Sequence, residues 1–167
     1  MARDIIADDQ RPKQLSDLSA GERLVVWSFR RWVSGTRNWN LVWFEHSRMF
    51  GDDRARDTLA SFARLVNKIA TNAARTLHYH QPCCPCLTED ELRLTAMIGA
   101  AQSGSTIMTR HHARGLVKRG AVEDLVVHAV IYGQHLNSCS MTLDGNDLMP
   151  PEFVQVPTAS APHATIH

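Results

Sequence analysis

The segment His78-Tyr79-His80-Gln81-Pro82-Cys83-Cys84-Pro85-Cys86 puts five metal-ligating side chains within nine residues, including three of the chain's four cysteines. Thiolate and imidazole are the donors that Zn²⁺ and softer ions select. Two prolines stiffen the stretch and lower the entropic cost of arranging donors around an ion. His80, Cys84 and Cys86 are the expected ligands, with Cys83 or His78 as substitutes. The apolar stripe of the preceding helix, continued from Leu59, lands on His80 and turns it inward. Cys86 lies two residues before Thr88, a helix cap, where the amide end of a helix would stabilise a thiolate.

Further donors are expected from a later helix, where His135 and Cys139 stand one turn apart. The expected ion is zinc, with an iron–sulfur cluster or haem iron as alternatives. The spacing is neither a paired Cys-x-x-Cys ribbon nor a zinc-finger pattern, and it matches no common iron–sulfur run. Without metal, the segment would be a helix connection that contains buried thiols, since free cysteine is among the most buried residue types. A third reading is redox chemistry, in which a low-pKa Cys86 beside Cys84 senses oxidant. One intervening residue would strain a bridge between them, so that bond would be labile. Cys84-Pro85 also resembles the short Cys-Pro motif of haem-regulated proteins, which is what brings haem iron into the list.

Other chemistry finds less support. Ser105 to Gly120 resembles the recognition helix of winged-helix repressors and ends in a basic turn, Lys118-Arg119. The helix before it abuts at Gly104-Ser105, leaving no room for the usual preceding helix, and no strand pair follows to make a wing. Lys plus Arg number 18 against 17 Asp plus Glu, a net charge of +1, so a nucleic acid is not the expected partner. A glycine-rich phosphate loop, a nucleophile elbow and a two-histidine zinc-protease motif are all missing. The expected function is therefore that of a small metal-binding regulatory or accessory protein whose partner is another protein, with a Cys–His nucleophile of Cys84 or Cys86 and His80 as the less favoured enzyme reading.

The elements that must hold this segment are helices. The chain has 167 residues, 44% apolar and 21% charged, enough for one core and too few for two. Ser19-Ala20-Gly21-Glu22 is a capping box. The helix after it carries Val25, Phe29, Trp32 and Val33 and ends near Gly35. A second helix sets Trp39, Val42, Trp43 and Phe50 on one face, with His46 among them as a core histidine. Asp52 or Asp53 starts a third, whose stripe Leu59, Phe62, Ala63, Val66, Ala70, Ala73 and Leu77 continues until Pro82 stops it. Thr88-Glu89-Asp90-Glu91 is a second capping box, flanked by the staple pair Leu87 and Leu92. That helix ends at Gly104. A fifth runs from Ser105 to the Lys118-Arg119-Gly120 turn, with the adjacent pair His111 and His112 as weak ligand candidates. A sixth spans about Val122 to Ser138.

No stretch alternates apolar and polar residues, so the expected fold is an all-α bundle of about six helices. The expected divisions are a flexible segment 1–15, a helical domain 16–143 and an extended or disordered tail 144–167 with four of the seven prolines. The aromatic stripes are expected to be core. Residues 125–143 are uncharged but hold His128, Gln134, His135 and Asn137, groups too costly to leave unpaired in a bilayer. No basic, apolar export segment opens the chain. The expected setting is thus a reducing cytoplasm with no membrane partner, where cysteines persist as thiols or ligands.

Overall fold

A computed structural model describes residues 13–144. These residues form six α-helices and no strands: α1 (Ala20–Val33), α2 (Trp39–Phe50), α3 (Asp52–Asn72), α4 (Glu89–Gln102), α5 (Thr106–Arg114) and α6 (Val122–Ser138). The all-α reading therefore holds. No described helix is long and apolar enough to cross a membrane. The expected extended ends lie outside the described residues, apart from Lys13–Leu15 and Asp144.

Both capping boxes form. At α1 the Ser19 hydroxyl accepts from the Glu22 amide, and the Glu22 carboxylate accepts from the Ser19 amide at 2.8 Å. At α4 the same exchange joins Thr88 and Glu91. Each fixes a helix start by satisfying amides that have no partner within the helix.

Helix α4 is the axis of the bundle. Every residue from Leu94 to Ala101 is buried, so it has no solvent face, as expected of a helix enclosed by neighbours. It packs against α5, α6 and α1, while α3 packs against α2 and α6. The main core joins Val25 and Phe29 of α1, Phe62, Leu65, Val66 and Ile69 of α3, Met97 and Ile98 of α4, and Leu125, Ala129, Tyr132 and Leu136 of α6. At its C-terminal end α4 is tied to α6 through Gln102. The Gln102 amide donates to the Asn137 side chain and the Met141 carbonyl, and its Oε1 accepts from the Leu143 amide. Gly104, at φ 77°, takes the left-handed turn that lets α5 fold back at once.

Several boundaries differ from the sequence reading. Helix α3 stops at Asn72 and not near Pro82, because the backbone beyond it has partners elsewhere. Ala73 bridges to Val117, and the Ala74 amide donates to the Leu116 carbonyl. The buried face of α3 also includes Leu65 and Ile69, which the stripe drawn through Ala63 and Ala73 omits. Helix α5 ends at Arg114, and a separate 3-10 turn covers Arg119–Ala121. Trp43 is 37% exposed: of α2, only Val42 and His46 are buried.

The Lys13–Leu15 stretch is paired and not free. The Leu15 amide donates to the Pro85 carbonyl, the Leu87 amide donates to the Lys13 carbonyl, and Gln14 bridges to Cys86. Leu15 thereby joins a small second core of Leu18, Val26, Leu87 and Leu92.

Candidate functional site

Residues 73–88, between α3 and α4, contain the histidine–cysteine segment and no helix. Three side chains hold their backbone in place. The first is Arg30 of α1, which is fully buried. Its Nε donates to Glu91 Oε1 at 2.6 Å and its Nη2 to Glu91 Oε2 at 2.9 Å. Nη1 donates to the carbonyls of Gln81 (3.3 Å) and Cys84 (2.6 Å), and Nη2 also donates to that of Cys86 (2.6 Å). All five guanidinium N–H groups are thus used. A buried charge is tolerable only when paired and fully hydrogen-bonded, and here the loop carbonyls supply what Glu91 does not.

Glu91 and Asp90 of α4 are the other two. Glu91 accepts from the amides of His80 and Thr88 as well as from Arg30. Asp90 accepts from both Arg75 terminal nitrogens and from the His78 amide at 2.8 Å. Burial pushes the Asp90 carboxyl up, but the Arg75 hydrogen bond, the His78 amide and the charges of Arg75 and His78 outweigh it and leave it below the ordinary carboxylate range. The Thr88 hydroxyl closes the segment by donating to the His78 carbonyl.

On this frame Cys84 and Cys86 are neighbours. Their carbonyls, two residues apart, both face Arg30, as they do in an extended segment, where side chains two apart also share a side. Cys84, through a hydrogen bond and then through charge, raises the Cys86 thiol above its usual range, and the charge of Arg30 offsets only part of this. The expectation of an acidified Cys86 is therefore corrected. The amide of Glu91 is taken by the Thr88 hydroxyl, so the helix start is already satisfied, and a second thiol stands beside Cys86.

The remaining expected ligands are dispersed. His78 and Cys83 are exposed and His80 is half-buried. The His78 ring lies 3.6 Å from Asp90. His135 and Cys139 sit at the far end of the bundle, a second correction. Cys139 is 3.9 Å from the Thr58 hydroxyl, near the start of α3. Its end of α6 meets Gln102 at the end of α4, whereas the loop meets Glu91 near the start of α4. At 1.5 Å per residue those ends are about 16 Å apart. Among the described residues, no three His, Cys, Asp or Glu side chains form a group that could hold a metal ion.

Two features, Arg30 and a cavity, were not singled out in the sequence. Arg30 lies one turn beyond the buried Val26, and an arginine on an apolar helix face was the available signal. A cavity of about 220 Å³ opens under the loop among Phe29, Trp32, Val66, Ile69, Leu77 and Tyr79, with Arg75 at its side. His112, a weak ligand candidate by sequence, is a buried residue whose pKa burial, then His111 and Arg93, lower to about 4. His46 is the core histidine expected: its Nδ1 is 2.8 Å from the Val42 carbonyl, and its buried Nε2 has no hydrogen-bond partner. In the segment likened to a recognition helix, Arg110 is engaged by both Glu123 oxygens.

Comparison with known proteins adds no assignment: no family model, curated protein or solved structure matches the chain.

Proposed function

We propose that the protein is a small accessory protein that binds a thiophilic metal ion through Cys84 and Cys86 and presents it to a protein partner. The observation that carries this reading is the pair of thiols on one side of a segment whose backbone is held by the buried Arg30. Fixed backbone means that little ordering remains to be done when an ion arrives. Two thiolates complete half of a tetrahedral zinc site. His80, His78 and Cys83 are the loop's other donors, and a partner is the other source. Thiol redox sensing is the second reading. It shares the thiol pair, but a raised Cys86 pKa leaves less thiolate to attack an oxidant.

Metal binding must be coupled to stability, because an unfolded chain does not preform the site. Untagged protein should melt higher with added Zn²⁺ than with chelator. Cys84→Ser and Cys86→Ser should each abolish that difference while leaving the chelated melting temperature nearly unchanged. Equal melting of parent and variants with and without metal would overturn the metal reading. A difference that appears only after peroxide treatment would replace it with the redox reading.

A further inference from the structure

Independently of the thiols, we propose that the groove between α1 and α2 is a docking site for an extended, proline-containing segment. Its occupant is this chain's own Leu148-Met149-Pro150-Pro151-Glu152-Phe153, with the prolines against Trp27 and Glu152 at Arg31.

The groove is the first ground. It holds about 430 Å³ and is lined by Ala20, Arg23, Leu24 and Trp27 of α1 and by Glu45 and Met49 of α2, a size within the range of ligand-binding clefts. Ala20, Leu24, Trp27 and Arg31 recur at helical spacing and so share one face of α1. The Arg31 guanidinium lies 4.4 Å from the centre of the Trp27 ring, and its buried Nε has no hydrogen-bond partner among the described residues. A buried donor left unpaired is costly, so an acceptor belongs at the Trp27 end of the groove.

The path of the chain is the second ground. After α6 it returns to the start of α1. A Cβ on Gly21 would stand 2.5 Å from the Thr142 carbonyl oxygen, an approach that only glycine permits, and Leu143 is buried in the main core. Asp144 therefore follows beside the Ala20 end of the groove. Gly145, Asn146 and Asp147 are turn-forming residue types, suited to redirecting the chain along α1. From Ala20 to Arg31 that helix rises about 16 Å. Leu148 to Phe153 in polyproline II geometry covers about 16 Å as well, at about 3.1 Å per residue.

Chemistry is the third ground. Adjacent prolines favour polyproline II before any docking, and segments in that form dock on aromatic-lined grooves. Leu148, Met149 and Phe153 offer apolar side chains to Leu24 and Met49. Residues 145–167 contain Asp147 and Glu152 and no Lys or Arg. The groove has the opposite charge: Arg23 and Arg31 stand along it, while Glu45 is taken by Arg48. The Glu152 carboxylate supplies the acceptor that the Arg31 Nε lacks. A tethered segment also acts at roughly millimolar effective concentration, so a weak contact suffices.

The test is solution NMR of the full-length, isotope-labelled protein. Backbone order parameters of residues 148–153 should exceed about 0.6, the level below which backbone is flexible. Protons of Pro151 and Phe153 should show cross-relaxation with the Trp27 indole and the Met49 methyl. Phe153→Ser, which removes nothing from the core, should drop those order parameters below about 0.6. It should also shift the Trp27 and Met49 signals and leave those of Trp32 and Trp39, packed against the core, in place. Trp27→Ala should release the segment equally, and if that variant unfolds, Phe153→Ser carries the test alone. Order parameters below about 0.6 in the parent, or contacts from residues 148–153 to another face, overturn the proposal. So does cross-relaxation found only between labelled and unlabelled molecules in a mixture, which would assign the groove to a second copy of the chain.

Discussion

The 73–88 segment has no regular structure, and α2 is a regular helix, yet the segment is the better anchored of the two. Its backbone is fastened by Arg30, Asp90 and Glu91, all buried, and by the Thr88 hydroxyl. Helix α2 buries only Val42 and His46, and it leaves Leu41 and Phe44 49% and 66% exposed. Its links to the rest of the bundle are the Ser47–Asp52 hydrogen bond to α3 and the partly buried Trp39 and Phe50 against the main core. Helical geometry and fixed position are separate properties: the first comes from local bonds, the second from what the element buries or pairs with.

The largest expected effect tests the anchor directly. Arg30→Ala leaves Glu91 buried without its guanidinium partner and strips the Cys84 and Cys86 carbonyls of their Arg30 donors, while the Gln81 carbonyl keeps the Cys84 amide. Breaking a buried pair in this way costs about 3–5 kcal/mol. Urea unfolding measures it, and a loss below about 1 kcal/mol would show that the segment is held by something else. Arg30→Met with Glu91→Leu should recover much of that stability while releasing the loop, seen as faster amide exchange over residues 80–86.

Acid should separate the two regions next. Burial lowers the pKa of His46 in α2, and burial with His111 and Arg93 lowers that of His112 in α5 to about 4. Below the usual histidine value of 6.5 the unfolded chain takes up protons that the folded chain refuses. Stability therefore falls as the pH drops from 6.5, and the His112 share levels off near pH 4, amounting to about 3 kcal/mol. His112→Gln should flatten that part of the profile. Asp90 is held low by Arg75 and the His78 amide once burial is outweighed, so its contribution persists until the pH falls below the ordinary aspartate range. Amide exchange at pH 5 should accordingly open α2 before the loop.

Smaller effects sharpen the contrast. Thr88→Ala removes both an α4 cap and the bond to the His78 carbonyl, with an expected cost of about 1 kcal/mol. Phe44→Ser should change thermal stability by less than about 0.5 kcal/mol. A loss above 1 kcal/mol would show that this face of α2 is covered in the folded protein.

What could be read from sequence follows the same division. The starts of α1 and α4 and both ends of α6 were legible because Ser19, Glu22, Thr88, Glu91 and the Val122–Ser138 periodicity act within a few residues. The end of α3 was not. Ala73 to Leu77 continues a helical pattern, but Ala74 bonds Leu116, and His78 and His80 give their amides to Asp90 and Glu91. Such competition for backbone groups leaves no mark in the local pattern. The thiol cluster was visible as composition, and its i, i+2 geometry followed from the spacing. Arg30, 61 residues from Glu91, was not. His135 and Cys139 share a helix face, as the periodicity implies, but a face does not say which end of the bundle it occupies.

The pairing of Lys13–Leu15 with Pro85–Leu87 has a consequence for how the chain is made. Gln14 leaves the ribosome long before Cys86, and at 5–20 residues per second the interval is roughly 4 to 14 s. During that time Leu15, Leu18 and Val26 have emerged without Leu87 or Leu92 to cover them. So distant a contact also slows the final step of folding, since the intervening chain must be ordered before the two segments meet. The nascent protein therefore carries a sticky N-terminal end that only completion of the cysteine loop conceals, and a chain truncated before Leu87 would keep it exposed.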